Sequence, residues 1–421
     1  MHANNDVISE ERKYFLSVLQ TFESYRKQSL LAVEYREKCL GLLPDQHQKW
    51  LVKYQQVYLE MLIIVMKQGN ENTFGRKQSL LAVEYREKCL GLLPDQHQKW
   101  LVKYQQDLDG FKRCIDRNAD YIPIVMKHAN NIFENVYSNE NTSHSETNVG
   151  TLSEGVDKVQ SVFKQLMRDW SSLGAMERQQ CYDPIIDEIE LEFPSNECKR
   201  SNIFVLVPGA GLGRLAFEIA SRGFSCQGNE FNLYMLIVSF HVLNHCKVIN
   251  EFEVFPWIHQ FCNNLSAETQ MLSVRFPDVK PTSQPENQFS MIAGDFLEVY
   301  TDKGTFHCVA TCFFIDCAPN VLQFIETIYH ILKPGGIWIN LGPLLYHYAD
   351  IKSEHSIEPS FEVLCDVIKK VGFVIEKSRT GIKTRYCQNP EAMLQYEYNS
   401  VFFVCRKPVL NLEKNHIETT K

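Results

Sequence analysis

The chain has 421 residues, 44% of them hydrophobic and 22% charged, with a formal net charge of −8. That length supplies one large domain or two ordinary ones with a sizeable core, and the acidic balance lacks the basic footprint of a general nucleic-acid binder. The opening stretch Met1–Lys13 is polar, so no secretory signal is expected. The apolar run Val57–Met66 is interrupted by Glu60 and is too short to span a bilayer. None of the fourteen cysteines forms a C-x-x-C pair. The nearest neighbours, Cys308, Cys312 and Cys317, read as reduced thiols and not as disulfides or a metal set. These properties set the expectation of a cytosolic protein, with the nucleus as second location, that binds neither nucleic acid nor membrane.

In chain order, Arg26–Gln56 recurs letter for letter as Arg76–Gln106, an offset of 50 residues. Repeat arrays need about three or more units, and working repeats diverge with their surroundings. Perfect identity therefore reads as a recent duplication or a gene-model error, with one copy packed and the other displaced along with the linker Val57–Gly75. Each copy reads as a helix, a break at Pro44 or Pro94, and a second helix. Helical spacing continues through Asp107–Glu134, and Ser138–Gly155 is polar and aperiodic, as a loop or linker is. From Val156 to Phe193 helical patterning returns. Gln165 and Arg168 there share a helix face, which by itself reads as a solvated one.

At Ile203 the pattern changes to alternating strands and helices. Ile203–Val207 is a buried strand; Gly209, Gly211 and Gly213 form a turn; Leu215–Ala220 is an apolar helix; and Glu230 follows 21 residues after Gly209 at the end of the next strand. A carboxylate so placed can accept hydrogen bonds from ribose hydroxyls at the carboxyl edge of a parallel sheet. The dinucleotide fingerprint G-x-G-x-x-G seats a pyrophosphate. Here the spacing is G-x-G-x-G, with Arg214 in the place of its third glycine, which suits S-adenosylmethionine, a cofactor without pyrophosphate.

Further strands are expected at Phe289–Ala293, leading into Gly294-Asp295-Phe296, and at Cys308–Ile315, ending in Asp316. The helix Val321–Leu332 is stopped by Lys333-Pro334-Gly335-Gly336, and Ile337–Leu341 is a strand. The helix Phe361–Val371 precedes a closing pair, Phe373–Glu376 and Ser400–Arg406. The count suits an α/β fold of about seven strands with an antiparallel last strand. The proline-rich insertion Phe255–Gln288 is expected to form a lid or a substrate wall. The chain thus divides into a helical region 1–155, an α/β domain 156–407 and a polar tail 408–421.

VPGAGLGRLAFEIA, GNEF, AGDF, ATCFFID and LKPGGIWINLGPLLYHY, with PWIHQF and the tyrosine-rich C-terminal segment, resemble the carnosine N-methyltransferase family. The resemblance covers about Glu10–Lys407 with one repeat copy set aside, and the duplication departs from it. It implies a class I S-adenosylmethionine-dependent methyltransferase fold and methylation of the imidazole of a small dipeptide, carnosine, to give anserine. The 156–407 unit is then the methyltransferase domain.

Asp316 is the first candidate for the acceptor site. A carboxylate that accepts the N–H of one imidazole nitrogen leaves the other without hydrogen and facing the methyl; its competing reading is a cap for the helix near Asn320. Asn/Asp-Pro-Pro-aromatic, the signature of nucleic-acid amino methylation, is replaced here by Ile-Asp-Cys-Ala-Pro. His347 is the second candidate, with Tyr346 and Tyr348 as walls, and Tyr386, Tyr396 and Tyr398 could sandwich the ring, the last two sharing a strand face. For the cofactor, Gly209 faces the methionine part and Glu230 the ribose, with Gly211 in the same cofactor-binding set. Asp295 and Phe296 bound the adenine, with the Phe296 ring stacking on it. The resemblance adds Gln165, Cys312 and Arg168, the last suited to the cofactor's carboxylate. No metal is expected, and a homodimer is the candidate assembly. The rival readings are methylation of histidine in a larger peptide or protein, and a non-catalytic cofactor-binding scaffold.

Overall fold

The computed structural model describes residues 74–129, 149–281, 289–349 and 356–409. Helices α1 (Phe74–Gly91), α2 (Asp95–Trp100), α3 (Val102–Ala129), α4 (Val149–Trp170), α5 (Ala175–Cys181) and α6 (Asp183–Glu192) come first. The alternating part runs β1 (Phe204–Pro208), α7 (Arg214–Ser221), β2 (Ser225–Glu230), α8 (Leu233–His245), β3 (Phe252–Val254), α9 (Ala267–Gln270), β4 (Val274–Phe276), β5 (Phe289–Ala293), α10 (Phe296–Val299) and β6 (Phe306–Cys312). It closes with α11 (Val321–Ile331), β7 (Leu332–Gly342), α12 (Phe361–Val371), β8 (Val374–Thr384) and β9 (Tyr398–Arg406).

The described residues form two compact units. One comprises residues up to Met167 together with Val248–Asp278 and Asn389–Gln395. Here the second repeat copy folds as its sequence reads: α1, then Pro94 at the start of α2, then α3. The first copy, Arg26–Gln56, lies outside the described residues. Val83 of α1 packs with Leu108, Phe111 and Ile115 of α3 and with Phe255 and Ile258. Asn118 in α3 accepts from the Phe255 N–H at 2.7 Å and donates to the Phe255 carbonyl at 3.0 Å. The insertion is therefore not a separate lid: as far as Asp278 it carries β4, which pairs antiparallel with β3 just before it, and it is fastened to α3. The helical region does not end at 155, because α4 begins inside the expected linker and this unit continues to Met167.

The other unit holds a seven-stranded sheet in the order β5-β2-β1-β6-β7-β9-β8. β5, β2, β1, β6 and β7 are parallel, and β9 is antiparallel to both β7 and β8. Alternate residues of each strand point to opposite faces. Leu206, Val309, Trp338 and Phe403 pack on one face with Ile325 and Ile328 of α11 and Leu364 and Ile368 of α12. Val205, Val207, Ala310, Ile339 and Phe402 pack on the other with Ile185 and Ile189 of α6 and Leu215 and Ile219 of α7. From β1 the chain builds outward through β2 to β5, then returns to place β6 on the other side of β1. The crevice at the carboxyl ends of β1 and β6 is therefore a topological switch point, where ligands bind in such sheets.

Three boundaries differ from the sequence reading. β6 stops at Cys312, three residues short of Ile315; Phe313 has a left-handed φ of 52° and Ile315–Cys317 form a 3-10 turn. An unbroken apolar run does not distinguish strand from buried turn. The Lys333-Pro334-Gly335-Gly336 stop is itself the start of β7, where Leu332 pairs with Phe306 and the register shifts before Cys308. β8 runs to Thr384, well beyond the expected Glu376.

Candidate active site

Glycine is required at the turn after β1. Gly209 and Gly213 have φ of 64° and 82°, and a Cβ at Gly209 would lie 2.4 Å from the Phe314 ring. Arg214 opens α7 and is buried. It donates to the Asp169 carbonyl and to Glu218, both at 2.8 Å, with its guanidinium 4.9 Å from the Trp170 ring centre. The residue that departs from the dinucleotide pattern thus braces the turn against the end of α4. Glu230 closes the other side: its two carboxylate oxygens accept from Gly211 N at 2.8 Å and Asn232 N at 2.7 Å. Burial pushes the Glu230 carboxyl above its ordinary range, against the pull of those N–H groups. Each oxygen retains a second lone pair for a ribose hydroxyl.

Asp295 caps α10, accepting from Leu297 N at 2.7 Å with Oδ1. The stacking expected of Phe296 is not what the structure shows. Its ring is 3% exposed and packs edge-on against Phe314 and Phe324, beside Tyr300. It is a core residue that supports the turn after β6.

Arg168 and Gln165 are buried, so the solvated-face reading of this pair is wrong. Gln165 belongs to the first unit's part of α4, and Arg168 opens the second unit. The Arg168 guanidinium donates to Asp169 at 3.0 Å and to the Tyr182 hydroxyl at 2.5 Å. Its Nε lies 3.8 Å from a Glu177 oxygen, and its buried Nη2 has no hydrogen-bond partner. Burial opposes its charge, but Tyr182 and Asp169 hold its pKa above the ordinary arginine value. A buried guanidinium with a spare donor fits the carboxylate of an amino-acid-bearing cofactor. Cys312, at the end of β6, points its thiol at the Cys181 carbonyl, 3.8 Å away. Its hydrogen bond with the Cys181 thiol pushes Cys312 up and Cys181 down.

Asp316 does not end a strand. It sits in the 3-10 turn, 2% exposed, and the capping alternative fails because Asn320 itself caps α11. Its Oδ2 accepts from Leu345 N at 2.9 Å and its carbonyl accepts from His347 N at 3.0 Å, which ties the loop after β7 to the turn after β6. Its Oδ1 is buried without a partner. Burial raises the Asp316 pKa, opposed by the Leu345 N–H and by His347. His347 is exposed, with Nε2 3.9 Å from Cys317 Sγ. Ligand atoms of Asp316, Cys317 and His347 lie within 4.8 Å of one another.

Aromatic rings line the same region. Phe313 lies 5.0 Å from Tyr386 and edge-on to Tyr398 at 5.9 Å. The Arg168 guanidinium is 4.6 Å from the Tyr386 ring centre, so Tyr386 and Phe313 adjoin the cofactor side as well. Burial raises the Tyr398 hydroxyl pKa, and the Asp316 charge adds to the effect, which puts the two within electrostatic reach. Tyr396 is 61% exposed and precedes β9, so the shared strand face expected for it and Tyr398 does not exist. Tyr346 is no wall: it is buried in the core, its hydroxyl donating to the Pro359 carbonyl at 2.6 Å. Glu177 accepts from Cys387 N at 2.7 Å and Gln388 N at 3.1 Å and so holds the Tyr386 loop next to Arg168. Asp169, Glu177, Tyr182 and Phe313 were not singled out in the sequence. The one available signal, Asp169 directly after Arg168, looks like any surface charge pair.

The family model for carnosine N-methyltransferase matches residues 145–409. The chain is 58% identical over 254 residues to the Drosophila melanogaster protein "Carnosine N-methyltransferase unmet", covering 60% of this chain but only 56% of that protein. It is 46% identical to the carnosine N-methyltransferase of Mus musculus, covering 72% of this chain and 75% of that one. To that of Schizosaccharomyces pombe it is 40% identical, covering 71% and 82%. Among the described residues no helix is long and apolar enough to cross a membrane.

Proposed function

The chain belongs to the carnosine N-methyltransferase family, and we propose that it methylates the imidazole ring of carnosine, β-alanyl-histidine, yielding anserine. S-adenosylmethionine is its cofactor and, when bound, supplies an electrophilic methyl group on a sulfonium sulfur. The residues present suit that molecule: Arg168 has a spare buried donor for its carboxylate, Glu230 has free lone pairs for its ribose, and Asp295 has a second oxygen for its adenine amine. What remains for the protein is to align a nitrogen lone pair, and alignment alone can lower a barrier by several kcal/mol.

The observation that carries the acceptor reading is the unpartnered, buried Oδ1 of Asp316. A free imidazole has a pKa of about 6.5, so the neutral ring dominates near pH 7 and only its tautomer has to be selected. Asp316 accepts the N–H of the nitrogen turned away from the methyl group, leaving the other lone pair exposed. Transfer makes the ring cationic, and the same carboxylate then compensates that charge. The faces of Phe313, Tyr386 and Tyr398 favour it too. His347, on the loop that Asp316 holds, supplies a second polar contact for the dipeptide.

The test is incubation of the purified chain with methyl-labelled cofactor and, separately, carnosine, homocarnosine and histidine-containing peptides. Label on the imidazole of carnosine is the expected result; none on any imidazole would sink the reading. The reading also takes the chain to be cytosolic or nuclear and homodimeric. Cell fractionation and light scattering test these two points.

A further inference from the structure

We infer that Asp316, Cys317 and His347 form a binding site for a borderline-soft divalent metal, zinc above all, and that the metal closes the acceptor pocket. Three donors of different type meet here: a carboxylate oxygen, a thiol sulfur and an imidazole nitrogen, all within 4.8 Å of one another. In a tetrahedral zinc site, bond lengths of about 2.3 Å to sulfur and 2.0 Å to nitrogen put those two ligands roughly 3.5 Å apart. The Cys317 Sγ to His347 Nε2 separation is already 3.9 Å. Closing the set needs side-chain adjustments of up to about 1.5 Å.

The backbone holds this arrangement. Asp316 and Cys317 are adjacent in one 3-10 turn, and the His347 loop is tied to that turn by Leu345 N–H to Asp316 Oδ2 and His347 N–H to the Asp316 carbonyl. A second observation, independent of the clustering, is the buried Asp316 Oδ1 without a partner, an acceptor that a cation satisfies. Three protein ligands leave a fourth position for water. Thiolate with imidazole selects zinc, cobalt or copper; magnesium and calcium prefer oxygen ligands throughout.

Binding has a defined proton balance. A thiol with an ordinary pKa of about 8.5 carries its proton near pH 7. The cation displaces that proton to solvent, the S–H bond breaking as the S–metal bond forms, with no change of oxidation state. Closure of the pocket rests on the acceptor role proposed for Asp316 and His347; metal capture does not.

The experiment uses the full chain, stripped of metal by a chelator and titrated with cobalt(II) and then zinc. Cobalt should give thiolate-to-metal charge-transfer absorption, which one equivalent of zinc abolishes and millimolar magnesium leaves unchanged. In Cys317→Ser, and equally in Cys317→Ala, the absorption should vanish and zinc affinity fall tenfold or more, with thermal unfolding unaltered. Absence of the absorption in the parent chain, or its persistence in both variants, overturns the site. Zinc should also inhibit methyl transfer in the parent, and Cys317→Ser should need at least ten times more zinc while keeping its uninhibited rate. Zinc bound at this site without inhibition overturns the closure. If the chain methylates no imidazole at all, the proposed function fails, while the cobalt absorption still decides the metal site.

Discussion

The two sides of the crevice at the carboxyl ends of β1 and β6 handle buried charge differently. On the cofactor side both Glu230 oxygens accept backbone N–H groups, from Gly211 and Asn232, and Asp295 spends one oxygen capping α10. Two of these bonds span two residues and the third spans 19, all within or beside single strand–turn units, and they are present before any ligand arrives. On the acceptor side Asp316 is equally buried, yet only one of its oxygens is used, by Leu345 N. Leaving a buried acceptor unpaired costs about 1–3 kcal/mol. The cofactor side is thus a pre-satisfied scaffold, and the acceptor side holds polar capacity in reserve for what binds there. Arg168 is the exception on the cofactor side, with a buried Nη2 that has no hydrogen-bond partner and that the proposed function assigns to the cofactor carboxylate.

Asp316→Asn tests the contrast most strongly. The asparagine carbonyl can keep the Leu345 bond, but its amide presents a donor where the substrate N–H needs an acceptor. Turnover should fall by about 10²–10⁴-fold, the range for a lost proton-handling group, while cofactor affinity measured by calorimetry stays within about threefold. An equal fall in cofactor affinity would show that the two sides are not separable. Next in size is Gly209→Ala. A Cβ 2.4 Å from the Phe314 ring at φ 64° must displace either the ring or the turn. Backbone strain of this kind costs about 1–3 kcal/mol, so melting temperature and cofactor affinity should fall together. Glu230→Gln is milder. A hydrogen bond to a charged group contributes about 1.5–3 kcal/mol, so cofactor affinity should weaken about tenfold or more, with turnover at saturating cofactor nearly unchanged. A large loss of saturated turnover would extend the influence of Glu230 to the acceptor side.

This division also explains what could be read from the sequence. The strand, glycine turn, helix and carboxylate of the cofactor side lie in one stretch, Ile203–Glu230, whose local pattern carries both fold and chemistry. Arg214 pointed away from a dinucleotide for a sound reason, although its part is to brace the turn. The acceptor side is assembled from 313–317, 345–347, Tyr386 and Tyr398, positions far apart in sequence that the fold of the second unit brings together. Asp316 was singled out as a polar residue after an apolar strand, while His347 rested on the family resemblance, since a lone loop histidine carries little signal of its own. Phe313 was not, because inside CVATCFFI it looks like one more strand residue, and its left-handed φ leaves no trace in the pattern. Phe296 misled for the mirror reason: a ring beside a cofactor-facing carboxylate suggests stacking, but burial assigns it to the core. The reach of β8 to Thr384 and the withdrawal of Tyr396 from β9 follow from tertiary pairing that strand propensity does not encode.

The smallest effect comes from the opposite, amino-terminal end of the same two strands. There the Phe204 N–H donates to His307 Nδ1 at 3.0 Å, and Lys333 Nζ lies 3.0 Å from the other ring nitrogen. With donors facing both nitrogens, an added proton has no acceptor. Burial, then the Lys333 charge, hold the His307 pKa below its ordinary value. A base depressed in the folded state takes up its proton more readily when unfolded. Its contribution to stability is therefore intact above the unfolded value of about 6.5 and is lost as the pH falls below that value toward the folded one. Because the ring is partly solvated, the loss is small. Melting temperatures of the parent chain and His307→Gln at about pH 7.5 and 5.5 should show the parent losing slightly more on acidification. Saturated turnover at about pH 7.5 should be the same in both chains. A turnover change in His307→Gln would mean that the amino ends of β1 and β6 are coupled to the crevice at their carboxyl ends, and the site could then no longer be treated as two sides on a passive sheet.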